Sequence, residues 1–464
     1  MMRPVNDVDE VEIPLLAGAP AAQRPLDRRI LRYSALSSAF LAVGGLGPQF
    51  LLSKWATLLG VRSLAIGLIS DETGVIEPML SDDLPHLQDD PGVVGNIRNT
   101  YFSHVLFGLA ATCLSIPVAV MSPQWMRACG IVDLDAADTA TLQKTLAYDY
   151  PAAFMSVFID LYLLFLFQAR KMEKATALIA VSELSQLAFI AILTQATGMG
   201  FELVGLANLS SSVLAGLLIA YFELKDPPIG QSIFNLKTPA TVSLADKSKL
   251  MFKLGTTTWL AGMADNLSGV YSMRFASIGL QGALGVLDGA FSNVSSVVMD
   301  IFSPYIAESR GQERRQKVLS QLAWGIAPSL VLSAIAIPFA KPLSQLLDGG
   351  ALSEESDGSL TGNVALYMAG SLLGNLFDIL YATFIDCELT TFPAAIAFLT
   401  SFWTIGFCFA FESLLGDDSN ITANAADLCG TALALIPVAF YAYHKSDALF
   451  GSNQVEENVE AEVV

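Results

Sequence analysis

The chain has 464 residues, of which 53% are hydrophobic and 15% charged, and its mean hydropathy is +0.53. A soluble domain of this size carries more surface charge, so the composition excludes one. A net charge of −19 excludes a nucleic-acid-binding role, which selects basic surfaces.

The first 30 residues are polar, acidic and Pro-containing, and they lack the apolar core of a signal peptide; residues 1–32 form the N-terminal segment. They are read as a disordered cytoplasmic N-terminus. Eleven apolar runs of bilayer-spanning length follow, near 33–53, 102–121, 150–168, 175–194, 203–222, 252–272, 285–305, 319–340, 362–385, 392–412 and 425–443. The run at 285–305 is diluted by Asp288, Asp300 and several serines. A further segment, WATLLGVRSLAIGLI (55–69), is brief for a crossing and carries Arg62.

A cytoplasmic linker at 223–251 separates an N-lobe bundle (33–222) from a C-lobe bundle (252–443), and an acidic disordered tail closes the chain at 444–464. The expected fold class is an all-α polytopic membrane protein, with two pseudo-repeated six-helix-type bundles and about 11–12 transmembrane helices. Lysine and arginine concentrate in QARKMEK (168–174), the linker and ESRGQERRQK (308–317). That bias puts both termini in the cytoplasm. Asn420, in Asn-Ile-Thr, then lies outside as a glycosylation candidate, whereas the sequons at Asn208, Asn266 and Asn293 fall inside spans.

The halves resemble each other. RYSALSSAFLAVGG (32–45) lies over KLGTTTWLAGMADN (253–266), and LLGVRSLAIG (58–67) lies over SIGLQGALGV (277–286). The second half then continues into the run at 285–305. The first half runs instead into polar SDETGVIEPMLSDDLPHLQDDPG (70–92), so one span is missing. Three readings stay open: 55–69 crosses as a short helix, the first segment is re-entrant, or the sequence comes from a gene model lacking an exon.

Two carboxylates, Asp265 and Asp378, sit in the middle of C-lobe runs. A charge at mid-bilayer costs at least about 2.5–3.5 kcal/mol, so it persists mainly where it faces a wet cavity. Helical spacing puts Ser371, Asn375 and Tyr381 on the stripe of Asp378, and Ser268 and Ser272 on that of Asp265, with Asn266 adjacent. Such stripes line a cavity, where a carboxylate exchanges a proton or oxygen ligands hold Na⁺; the alternative is interhelical bonding that packs the lobe. Glu183, beside Ser182, Ser185 and Gln186, is a further lining candidate, while Asp160 and Asp300 carry weaker signals.

The five cysteines have no CxxC spacing and the three histidines are far apart, so neither a metal site nor a disulfide framework is expected. No nucleophile–base spacing or phosphate loop argues for an enzyme, and no cofactor is expected beyond a coupling cation.

Four segments carry a resemblance to the multidrug and toxic compound extrusion (MATE) transporters. GMGFELVGLANLSSSVLAGLLIAYF (198–222) resembles the family's sixth span, and SPQWMRACGIVDLDAADTATLQKTLAYDYPAAFMSVFIDLYLLFLFQARK (122–171) its third loop and fourth span. KLGTTTWLAGMADNL (253–267) resembles the seventh span, with Asp265 about ten residues after Gly255; NLFDILYATFIDC (375–387) resembles the tenth, with Asp378 as the acid. The family's second span and first-span acid have no counterpart. Asp386 and Glu388 replace the glycine and arginine usual after the tenth-span acid. The resemblance implies a monomeric secondary antiporter, embedded in membrane lipid, that exports small organic compounds in exchange for H⁺ or Na⁺. A lipid or lipid-linked flippase, or an inactive scaffold relative, is the alternative. Plasma membrane, vacuole and plastid envelope all fit.

Overall fold

The architecture comes from a computed structural model, which describes residues 28–52, 55–68, 79–80, 83–84, 92–131, 134–272, 274, 278–309, 311–347, 357–386, 389, 391–415, 419–446 and 449. Among the described residues every regular element is a helix, and there are thirteen. The N-lobe holds α1 (Arg28–Leu51), α2 (Ala56–Gly67), α3 (Val93–Ala128), α4 (Ala136–Gln168), α5 (Met172–Ala196) and α6 (Leu203–Lys225). The C-lobe holds α7 (Leu244–Ser272), α8 (Ile278–Glu308), α9 (Gly311–Ala336), short α10 (Ala340–Leu347), α11 (Asp357–Asp386), α12 (Thr391–Leu415) and α13 (Ser419–His444).

Eight of these helices are long and apolar enough to cross a membrane: α3 to α6, α9 and α11 to α13. The chain is an integral, multi-pass, all-α membrane protein. Each of the eleven apolar runs coincides with one long helix. The helices extend past the runs at several ends, because polar turns continue a helix once its middle is fixed. Thus α1 starts at Arg28 and α7 at Leu244, which confines the non-helical linker to 226–243. The calls on 1–27, on the acidic loop at 348–356 and on the tail from 450 lie outside the described residues.

Packing repeats between the lobes. In the N-lobe α1 packs on α5, α4 on α3 and α6, α5 on α6, and α2 on α3 and α4. The C-lobe repeats this with α7 on α12, α11 on α9 and α13, α12 on α13, and α8 on α9 and α11. That correspondence makes α2 the counterpart of α8. The short helix at 56–67 occupies the second-span position. Its 12 residues reach about 18 Å, against about 30 Å of hydrocarbon. Farther along the polar segment Met79 and Leu80 are helical and buried, Leu80 in a core with Ile97, Tyr101, Tyr162 and Phe165.

Small residues let helices approach closely, as expected where lipid supplies no hydrophobic drive between helices. Gly44 and Gly47 of α1 leave the space taken by the Glu183 and Leu187 side chains of α5. Gly205 of α6 lies against the backbone carbonyl of Thr145 on α4. The α3–α4 corner turns at Gly130, whose positive φ of 68° suits a residue without Cβ, and Asp135 caps α4 by accepting from the Asp138 N–H at 2.7 Å.

Candidate functional site

Asp265 on α7, Asp378 on α11 and Asp427 on α13 are each solvent-accessible. Asp378 and Asp427 each feel the charges of Asp265 and of Asp288 on α8. Carboxylates from four helices of one bundle approach each other only where those helices converge. Among the described residues no lysine or arginine pairs with Asp265, Asp378 or Asp427.

Local packing aims two of the acids. Ser371 of α11 donates its hydroxyl to the Asp288 carboxylate, tying α11 to α8. Asp427 Oδ2 lies 2.8 Å from the point that a Cβ on Gly370 would occupy, so the missing side chain of α11 is what admits this carboxylate. Tyr367, one turn earlier on α11, is within electrostatic reach of Asp288 and Asp427.

The other lining candidates are dispersed. Asn375 is buried and donates to Ser329 Oγ of α9 at 2.6 Å, an interhelical bond and not a cavity position. The helical stripe around Asp378 thus divides between an accessible acid and partners turned toward α8 and α9. Ser268 is buried and donates to the Asp265 backbone carbonyl at 3.0 Å. Tyr381 stacks on Phe377 with ring centroids 6.3 Å apart. Asn266 turns toward the N-lobe, its Oδ1 3.6 Å from where a Cβ on Gly67 would be. Glu183 sits in the notch left by Gly44 between α5 and α1. Asn420 lies in the first turn of α13, and its side chain is outside the described residues.

Sequence reasoning missed two members of the group. Asp427 stands in NAADLCGTALALIPVAF, an acid inside an apolar run like the two that were singled out. Asp288 was read only as weakening a span. Both were detectable by the criterion applied to Asp265. The N-lobe charges were missed as well: Arg62 of α2 and Asp149 of α4 form a bidentate pair, and Asn208 of α6 donates to Asp149 Oδ1 at 3.0 Å. The Asn208 sequon is therefore occupied by packing.

No family model matches the chain, and no curated protein matches it. Solved structures do: 32 chains are similar. MATE in complex with MaL6 superposes with a TM-score of 0.69 at 13% identity, covering 92% of this chain and 97% of that one. The fold is the MATE fold. A mutant of the Vibrio cholerae MATE transporter VcmN gives 0.65 at 12% identity, over 92% of this chain and 99% of the other. A MOP superfamily transporter from Pyrococcus furiosus, described by the reverse polarity of its binding pocket, gives 0.61 at 14% identity over 90% and 96%. These MATE-type neighbours are transporters rather than enzymes.

Proposed function

We propose that the chain is a secondary active antiporter that exports small organic compounds in exchange for H⁺ or Na⁺ by alternating access. The observation that carries this reading is the convergence of Asp265, Asp378, Asp288 and Asp427 from four C-lobe helices, with no basic partner on three of them among the described residues. Clustered like charges are relieved when a proton or a metal cation joins them. Occupation of the group therefore favours one packing of the C-lobe and vacating it favours another, which is how an ion gradient drives a bistable transporter. An acidic cavity suits organic cations as competitors for the same space. Both lobes of the MATE fold are present to rock about that site.

The test is reconstitution into vesicles with an imposed H⁺ or Na⁺ gradient and an organic-cation dye as cargo. The reading expects gradient-driven efflux that Asp265→Asn and Asp378→Asn each remove. Efflux that ignores both gradients overturns the antiport mode.

The short α2 favours a second reading, an inactive relative. The 12 residues of α2 are fewer than a bilayer crossing takes. On that reading the parent protein moves no dye under either gradient, yet folds and inserts normally.

A further inference from the structure

The C-lobe carries a crevice remote from the aspartates in its chemistry. It lies between α9, α11 and α13 and has a volume of about 550 Å³, within the range of small-ligand sites. Its walls are apolar, including Leu322, Leu380, Phe384 and Leu449. At its mouth stand Gln312 and Arg315, beside the exposed Leu319 and Tyr443. Arg315 is exposed and, among the described residues, has no ion-pair partner; its neighbours Glu313 and Lys317 pair with each other at 2.7 Å.

The crevice is a built feature. Leu449, beyond the end of α13 with its N–H on the Lys445 carbonyl at 2.8 Å, is 3% exposed. It is held there by Arg314, which donates to its carbonyl at 3.3 Å and to the carbonyls of Ile306 and Ser309 at 3.1 and 2.6 Å. One arginine thus closes the far wall while the next is left free at the entrance. The lysine- and arginine-rich sequence around it marks the cytoplasmic end, where anionic lipid is concentrated.

We propose that this crevice binds one anionic phospholipid of the cytoplasmic leaflet. The phosphate meets Arg315 and Gln312, and an acyl chain enters between α9, α11 and α13. An apolar slot with a single free cation at membrane-surface level is complementary to that amphiphile and not to a soluble anion. The N-lobe supplies an internal contrast. Its crevice of about 640 Å³ beside α4 and α6 has, among the described residues, Glu223 as its one charged lining residue. Both oxygens of Glu223 are taken, one by the Tyr162 hydroxyl at 2.7 Å and one by the Ile233 N–H at 2.9 Å. That crevice has no means of selecting an anionic headgroup.

The test is native mass spectrometry of the purified full chain, titrated with phosphatidylglycerol or with phosphatidylcholine of the same acyl chains. One phosphatidylglycerol is expected to be retained about fivefold more tightly than phosphatidylcholine, the weight of one basic residue at a membrane surface. Arg315→Gln should erase the preference and Arg315→Lys should keep it. Leu319→Trp, which narrows the mouth, should weaken both lipids. Glycerol phosphate, which lacks acyl chains, should not compete. Undiminished preference in a folded Arg315→Gln protein overturns the proposal, as does competition by glycerol phosphate equal to that of the lipid.

Discussion

Arg62 of α2 grips Asp149 of α4 with two hydrogen bonds, Nε to Oδ2 at 2.8 Å and Nη2 to Oδ1 at 2.7 Å. The pair is enclosed, with side-chain exposures of 11% and 1%. It fixes the short α2 in the second-span position. Removing one partner of a buried pair strands the other charge, which costs about 3–5 kcal/mol. Asp149→Leu is expected to lower unfolding stability in detergent by about that amount. The double variant Arg62→Leu with Asp149→Leu should recover most of it, since apolar replacement of both partners is near neutral. A double variant as unstable as the single one would show that the pair is not what α2 depends on.

Gly370 makes room for the Asp427 carboxylate, whose oxygen is the free end of a side chain and can swing aside. Gly370→Ala therefore moves this acid without removing it. Transport is expected to fall while the melting temperature changes by less than the equivalent of about 1 kcal/mol. Unaltered cation dependence in this variant would take Asp427 out of the coupling group.

Two glycines in membrane helices should respond oppositely to the same change. A Cβ at Gly205 meets the backbone carbonyl of Thr145, which cannot rotate away. Gly205→Ala should cost about 1–3 kcal/mol through overpacking of α4 on α6. At Gly269 of α7 a Cβ meets nothing within 4 Å, so Gly269→Ala should be neutral. Parallel thermal denaturation of the two variants measures the difference.

The linker is clamped to the N-lobe. Asn96 of α3 donates to Thr241 Oγ1 at 2.7 Å and accepts from the N–H groups of Thr241 and Val242, both at 3.0 Å. Asn96→Ala should raise amide hydrogen exchange across 241–242 while leaving the core of α3 protected. At the linker's start, the Lys174 ammonium beside Asp226 holds that carboxyl below its ordinary range. A depressed folded value means the contact stabilises above the unfolded pKa, about 3.9, and is lost as pH falls through the folded value. Exchange at 226–230 should therefore rise below about pH 4 and stay flat between pH 5 and 8. The side chain is 75% exposed, so the change is local and small.

Hydrophobic run length located every long helix, since bilayer thickness leaves few other solutions for such a chain. The second span was harder. Arg62 read as an isolated charge that argued against a crossing, and its partner lies 87 residues away, beyond the reach of local pattern. The faint likeness of 58–67 to 277–286 proved the better guide, for it pairs the start of α2 with the start of α8. In the C-lobe the cost of a charge in an apolar run pointed to Asp265 and Asp378. The stripes drawn around them were less informative. Spacing along one helix identifies a shared face, but not whether that face meets a cavity or a neighbouring helix. Asn375 and Ser329 show the difference, because only the placement of α9 turns that asparagine into an interhelical bond.

The central claim is that the C-lobe carboxylates couple a cation gradient to export. It is tested most directly by dye efflux from vesicles containing the parent, Asp265→Asn or Asp378→Asn, each energised by H⁺ or Na⁺ alone. The account predicts efflux by the parent under one gradient and loss of at least about tenfold in either variant, the effect of about 1.4 kcal/mol of coupling. Parent-like, gradient-driven efflux by both variants would contradict it.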